Sequence, residues 1–597
     1  MLDTVPAIQV AWERTFDAFE LFFGRGIPLR TRPPARTLSV QARASPGEMT
    51  VAGPTGMSDR IFDVEQYGAL GDGVADDYPA IAAAYDALVA AGGGELWFPP
   101  GRRYRVRAAG VHALHLVQQG NVTICMGAGA ELVMDNMVDG LAVSHGIFVE
   151  GPAADIALIG VRVRYAALSV QRQGWAPIYF LGANVGTGDG DARPHGWYRG
   201  RPDGVEAWPR IEAGAVRNVR LENVTVENSP SVGIGMVGVD GISLSNVVVR
   251  RTWADGLYHL YFRNARIAGF RGIEIGDDAI SMASYESDLE RADIGLPFHG
   301  EGSLVTDMAI EGRGPDRDLP CGSIVPLGVR DVTFADFVIA DRFRGLRFEP
   351  GTQRTLDHPT LNLNFLACRN VTIRDGEIRG AVQAISLVAK ECSFATPRKW
   401  WDHDVTIASV ALRGGSAPFD CWGTGVPQDG GPAVALFGGF HFADIACTGF
   451  TSPHTTLAGL RDCSFDGLEI DSPLAIHGFV PHGADPDLLD ADGKPMWPDN
   501  RCTFRGIRSA AIVFQGLKRC LIEDLQAADA AGRGVGLSTC ADIELRGVRV
   551  LDPNRIGRAT DNAGIHIDAF CKRITGSGFD QPGDAVPAGT IRDAADP

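Results

Sequence analysis

Residues 254–284 read ADGLYHLYFRNARIAGFRGIEIGDDAISMAS, and they hold the chain's clearest arrangement of groups able to do chemistry. Asp255 precedes the adjacent pair Asp277 and Asp278 by 22 residues. Hydrolysis of a glycosidic bond needs one protonated carboxyl to give a proton to the leaving oxygen. It also needs one ionised carboxylate to activate water or attack carbon. Crowded carboxylates supply both forms, because like charges raise the pKa of one member while another stays ionised. An Asp pair beside a glycine can equally cap a turn. The chemical reading therefore depends on a scaffold that brings residues about two dozen apart side by side.

Such a scaffold is written along the chain. A polar residue, often Asn or Asp, precedes alternating apolar residues and a second Asn, Asp or Gly. Examples are RNVRLENVTVEN from Arg217, VDGISLSNVVVRR from Val239, RNARIAGFRGIEI from Arg263, VRDVTFADFVIAD from Val329, RNVTIRDGEIRG from Arg369 and ADIELRGVRVLD from Ala541. Asn218, Asp240 and Asn264 are spaced by 22 and 24 residues, and Asp307 to Asp331 repeats the 24. Strands of alternating polarity at this period, with no long helices between them, predict a β-solenoid. Its parallel coils stack about 4.8 Å apart, so residues one period apart become neighbours.

The segment from Ile61 predicts a strand, a Gly-Asp-Gly turn and an alanine-rich helix capped by Asp76 or Asp77. Gly92 to Gly94 stop that helix before strands at Glu95–Phe98 and Tyr104–Val106. Asp72, Asp76 and Asp77 are read as turn and cap residues. Residues 1–60 read as an N-terminal extension and linker, and 61–597 as one domain with 61–106 as its cap segment. Insertions interrupt the coils at 165–210, 283–302, 312–321, 394–402 and 481–499. The first carries Trp175, Tyr179, Trp197, Tyr198 and Trp208. Trp197 and Trp208 are its candidates for stacking on sugar rings, since an aromatic ring on a loop otherwise exposes apolar area.

The net charge of -18 argues against nucleic acid and anionic membranes, which need basic stripes. The cysteines are odd in number and form no CxxC pair, so they predict buried thiols and neither a zinc site nor a disulfide framework. No metal or other cofactor is expected. No apolar run is long enough to span a membrane. Without a recognisable secretory signal the reading favours a cytoplasmic location, and self-association is compatible with it.

The segment from Ile61 to Val106 resembles the opening of the pectate-lyase-like superfamily of right-handed parallel β-helices. ADGLYH followed by GDDAIS resembles the catalytic region of polygalacturonases and of β-helical α-glucanases, the α-1,3-glucanase and mycodextranase group. The resemblance implies an all-β fold and an inverting glycoside hydrolase. Asp277 would be the general acid, and Asp255 and Asp278 would hold the water. His259 would be a sugar-hydroxyl contact, and RFRGLRFEPG from Arg342 would be a substrate strand with Arg347; by residue type alone, Trp253 and Tyr258 either stack on a sugar or pack between coils. Departures fall where a uronate would be gripped: Glu349 replaces a lysine, Cys321 replaces a histidine, and Trp253–Ala254 replace an asparagine before Asp255. With Glu349 as a substrate-facing carboxylate, the expected partner is a neutral oligo- or polysaccharide. Alternatives are a β-helical transferase, a lyase, or a noncatalytic tailspike-like carbohydrate-binding protein.

Overall fold

The computed structural model describes residues 60–182, 215–287, 300–349, 352–354, 362–365, 368–390, 403–424, 437–480, 482–528, 534–551 and 564–580. The chain winds as a right-handed parallel β-helix whose coil strands pair in parallel with those one turn earlier and later, while Tyr285–Ser287, Thr352–Arg354 and Asn362–Phe365 form a small antiparallel sheet beside it. The strands that matter for the site are β1 (Leu114–Val117), β2 (Ile147–Glu150), β3 (Ile178–Leu181), β4 (Ile234–Thr252), β5 (Leu257–Ile275), β6 (Ile280–Ala283), β7 (Ile324–Leu327) and β8 (Arg344–Phe348).

The recurring Asn and Asp residues are the corners of the coils. Asn218, Asn223 and Asn228 have φ of 54°, 55° and 60°. Left-handed backbone of this kind costs most L residues about 1–2 kcal/mol, and Asn, Asp and Gly adopt it most easily. Between corners, apolar side chains alternate inward, as in Val219, Leu221, Val224 and Val226. Stacked rings extend the core toward the C-terminal end, with Phe442 on Phe465 at 4.7 Å and Phe465 on Phe504 at 5.5 Å.

Register corrects two of the intervals. Asp240 faces Arg217 and Arg263, so the corner between Asn218 and Asn264 is Gly241, with φ of 80°. Asp307 and Asp331 occupy different corners, because Met308 faces Phe337 and Asp307 therefore stacks on Asp336. Insertions change coil length while leaving the strand register intact.

The N-terminal helix α1 (Tyr78–Ala90) buries Ile81, Ala84 and Leu88 in the core. Asp76 accepts the Tyr78 amide at 3.3 Å, while the Asp77 carboxylate accepts from Leu70, Gly71 and Arg105. Asp77 thus ties the turn to the next strand and does not cap its own helix. All the described cysteines are free thiols, buried except for Cys571. No helix among the described residues is long and apolar enough to cross a membrane.

Candidate active site

Asp255 lies in the bend between β4 and β5, and Asp277–Asp278 in the bend between β5 and β6. Ile234 faces Leu257 and Leu257 faces Ile280, a step of 23 residues. Asp278, and not Asp277, therefore stands in the column of Asp255, one coil away. The Gly256 amide donates to the Asp278 carbonyl at 2.9 Å, and the Asp277 amide to the Ala254 carbonyl at 3.2 Å. One oxygen from each of the three carboxylates lies within 4.8 Å of the others.

The glycines of the two motifs permit this approach. A Cβ on Gly256 would sit 2.5 Å from the Ala279 carbonyl oxygen, and one on Gly276 would sit 2.4 Å from that of Thr252. Neither distance is physically accessible, so both positions need glycine for the coils to close.

Each carboxylate meets a different surrounding. Arg172, from the insertion after residue 165, donates to Asp277 Oδ2 at 2.8 Å. The Gly322 amide donates to Asp278 Oδ1 at 2.6 Å, and Arg347 Nη1 stands 3.4 Å from the same oxygen. Arg347 also forms an ion pair with Glu349, its Nε donating to Oε1 at 2.8 Å. Beneath them Arg342 is fully buried. It donates to the carbonyls of Ile275, Gly312, Asp277 and Gly322, which fixes the peptide carrying Asp277. The Trp253 indole N–H donates to the Ser169 carbonyl at 2.7 Å, fastening the same insertion to the site.

Burial, then the charges of Asp277 and Asp278, push the Asp255 carboxyl well above the usual carboxylate range, with Arg172 opposing. Burial also raises Asp278, against the pull of Arg347. The Arg172 guanidinium, held beside these carboxylates, is itself stabilised in its charged form. One site therefore holds both a carboxyl biased toward its protonated form and a carboxylate paired with a cation. That is the division of labour acid/base chemistry requires.

The other sequence candidates fall out unevenly. His259 is fully buried, faces Met236 and Met282 of the core, and meets the edge of Phe262 at 5.6 Å. Burial lowers its pKa to about 4. It points into the solenoid and does not contact substrate, because alternation along β5 turns odd-numbered Leu257 and His259 inward while Tyr258 faces out. Tyr258 is half-buried against an outer apolar cluster that includes Tyr179 and Leu260. Arg347 lies beside Asp278, as described. Glu349 is only 5% exposed and is held by Arg347, so it does not present a bare carboxylate. Trp197 and Trp208 lie outside the described residues.

Neither Arg172 nor Arg342 carries a sequence signal for its place at the carboxylates. Arg172 sits 105 residues before its partner, with no periodic signal to link them. The three carboxylates supply oxygens of the type that hard divalent cations take. Arg172 already brings a positive charge to Asp277 Oδ2, and the Gly322 amide donates to Asp278 Oδ1.

No protein-family model matches the chain. Mannuronan C5-epimerase AlgE6 of Azotobacter vinelandii is 33% identical over 172 residues, covering 29% of this chain and 17% of that protein. AlgE4 of the same organism is 42% identical over 79 residues, covering 13% and 14%. The chain thus spans under a fifth of the length of these relatives. Among solved structures, a family 28 exopolygalacturonase of Yersinia enterocolitica has a TM-score of 0.41 at 15% identity, covering 73% of this chain and 79% of its own. The catalytic unit of a GH87 α-1,3-glucanase of Streptomyces thermodiastaticus has a TM-score of 0.29 at 13% identity, covering 90% and 70%.

Proposed function

We propose that the protein is a carbohydrate-active enzyme that cleaves glycosidic bonds by acid/base chemistry at Asp255, Asp277 and Asp278. The observation that carries this reading is the gathering of the three carboxylates within 4.8 Å, with burial and mutual repulsion holding Asp255 toward its protonated form. The electrostatics favour Asp255 as the proton donor, in place of the Asp277 assignment that came with the motif. Asp277, paired with Arg172, and Asp278 are then the groups that orient and activate water. With one oxygen of each carboxylate within 4.8 Å of the others, the cluster is tighter than the roughly 6.5–9.5 Å usual between the two carboxyls of inverting enzymes. The anomeric outcome is therefore a result to be measured by NMR. Glu349 is paired with Arg347 and so gives no ground for preferring a neutral sugar over a uronate.

The test is a reducing-end screen on α-glucans, galacturonan, mannuronan, fructans and arabinans. New reducing ends should appear with wild type, persist in chelator, and be lost in Asp255→Asn. An aryl glycoside with a dinitrophenolate leaving group separates the roles. Asp255→Asn should retain turnover on it because that leaving group needs no proton, whereas Asp277→Asn should not.

A second reading is a lyase or epimerase acting on a uronic-acid polymer, and the segmental likeness to mannuronan C5-epimerases favours it. It predicts an unsaturated, ultraviolet-absorbing product, or deuterium uptake from solvent without chain shortening. A lyase frees a reducing end on one fragment as a hydrolase does, so the double bond on the other fragment and the absence of added water distinguish it, whereas an epimerase frees no reducing ends.

A further inference from the structure

The column that carries Asp255 continues toward the N-terminal end of the solenoid, and there it becomes aromatic. Leu114 faces Ile147, Ile147 faces Ile178, Ile178 faces Ile234 and Ile234 faces Leu257. The residues two places earlier are His112, His145, Ala176, Val232 and Asp255, so His145 is three coils from Asp255 and His112 four. At about 4.8 Å per coil these separations are about 14 and 19 Å.

The rings form one continuous stack. His112 lies on His145 at 5.4 Å and 27°, and His145 on Phe148 at 4.9 Å and 29°. Phe148 in turn lies on His115 at 4.9 Å and 16°. Trp175, from the insertion that also supplies Arg172, closes edge-on to His145 at 5.1 Å. The backbone enforces the stack: the His145 amide donates to His112 Nδ1 at 3.0 Å, and the Ala176 amide to His145 Nδ1 at 2.9 Å. The neutral rings thus carry their protons on Nε2. His115 is exposed, and His112, Phe148 and Trp175 are half-buried, so the stack reaches the surface.

Such a surface offers flat apolar faces with N–H edges, the combination that complements a sugar ring with its apolar face and hydroxyl rim. A pyranose unit is about one coil spacing long, so a chain bound at the carboxylates and running along the solenoid axis would reach these rings after about three units. Resting on the reading of the aspartates as a saccharide site, we infer that the His112–His115–Phe148–Trp175 surface is a distal subsite for the same saccharide chain, so that longer oligomers bind more tightly.

The test uses the full chain with Asp255→Asn, and measures calorimetric affinity for dimers to octamers of α-1,3-glucan, galacturonan and mannuronan. At least one series should gain tenfold or more in affinity between dimer and pentamer. Trp175→Ala should abolish that gain and Trp175→Phe should preserve it. His115→Ala, at an exposed position, should reduce it several-fold without risk to the fold. Affinity that is independent of length, a gain untouched by both alanine variants, or no binding in any series overturns the inference. Length-dependent binding alongside absent turnover in wild type would instead count against the catalytic reading alone.

Discussion

The roles of the three aspartates follow from surroundings that differ by a single contact each. Asp255 has its carboxyl raised by burial and by its neighbours, Asp277 has a guanidinium, and Asp278 has a main-chain amide with a more distant one. Removing Arg172 should misplace Asp277. Arg172→Ala is expected to lower turnover on the order of 100-fold, with Arg172→Lys intermediate in a steady-state assay. The raised carboxyls also have a stability signature. A carboxyl whose folded pKa exceeds its unfolded value binds more protons when folded, so stability falls as pH rises from the unfolded value through the folded one. Asp255→Asn should remove part of that slope and stabilise the protein at pH 7 by on the order of 1 kcal/mol. Denaturant melts of the two proteins at pH 5 and pH 8 measure it, and equal slopes would count against the protonation account.

At the scale of elements, the site depends on how closely three coils approach. Gly276→Ala places a methyl carbon 2.4 Å from the Thr252 carbonyl oxygen. It should cost about 1–3 kcal/mol in stability and most of the activity, since the bend carrying Asp277 must shift. Arg342→Met removes the donor that reaches the Asp277 carbonyl and one of the two that reach Ile275, which keeps the Gly314 amide at 3.0 Å. It should destabilise by roughly 1–3 kcal/mol for each carbonyl left unsatisfied, read as a fall in the denaturant midpoint.

Much of this layer was legible in the sequence, because the corner Asn and Asp residues and the inward apolar alternation recur at coil length. The pairing of Asp255 with its neighbouring coil was legible only to within one residue, since a repeat length does not fix where a bend begins. The inward turn of His259 follows from strand parity, which becomes visible once β5 is seen to begin at Leu257. Arg172 and the histidine stack were not legible, because each depends on an insertion or on coils whose lengths depart from the repeat.

For the whole molecule, a solenoid whose coils touch only their neighbours separates stability at one end from chemistry in the middle. The 482–499 segment is strapped to the last described coil by Arg573, whose Nη1 and Nη2 each lie 2.7 Å from Asp487, and by Lys572 on Asp485. These are exposed pairs, so Arg573→Ala should cost no more than about 1 kcal/mol. It should raise hydrogen exchange in residues 564–580 while turnover stays as in wild type. Loss of activity in that variant would show coupling along the axis that nearest-neighbour stacking does not provide.

The central claim is that the three gathered aspartates break a glycosidic bond, and product analysis tests it most directly. Wild type and Asp255→Asn would be incubated with the polysaccharide panel, and products read by reducing-end assay and mass. The account predicts shortened chains with saturated ends and one water added per cleavage, formed by wild type and not by Asp255→Asn. Unsaturated ends, or products of unchanged length carrying solvent deuterium, would contradict it.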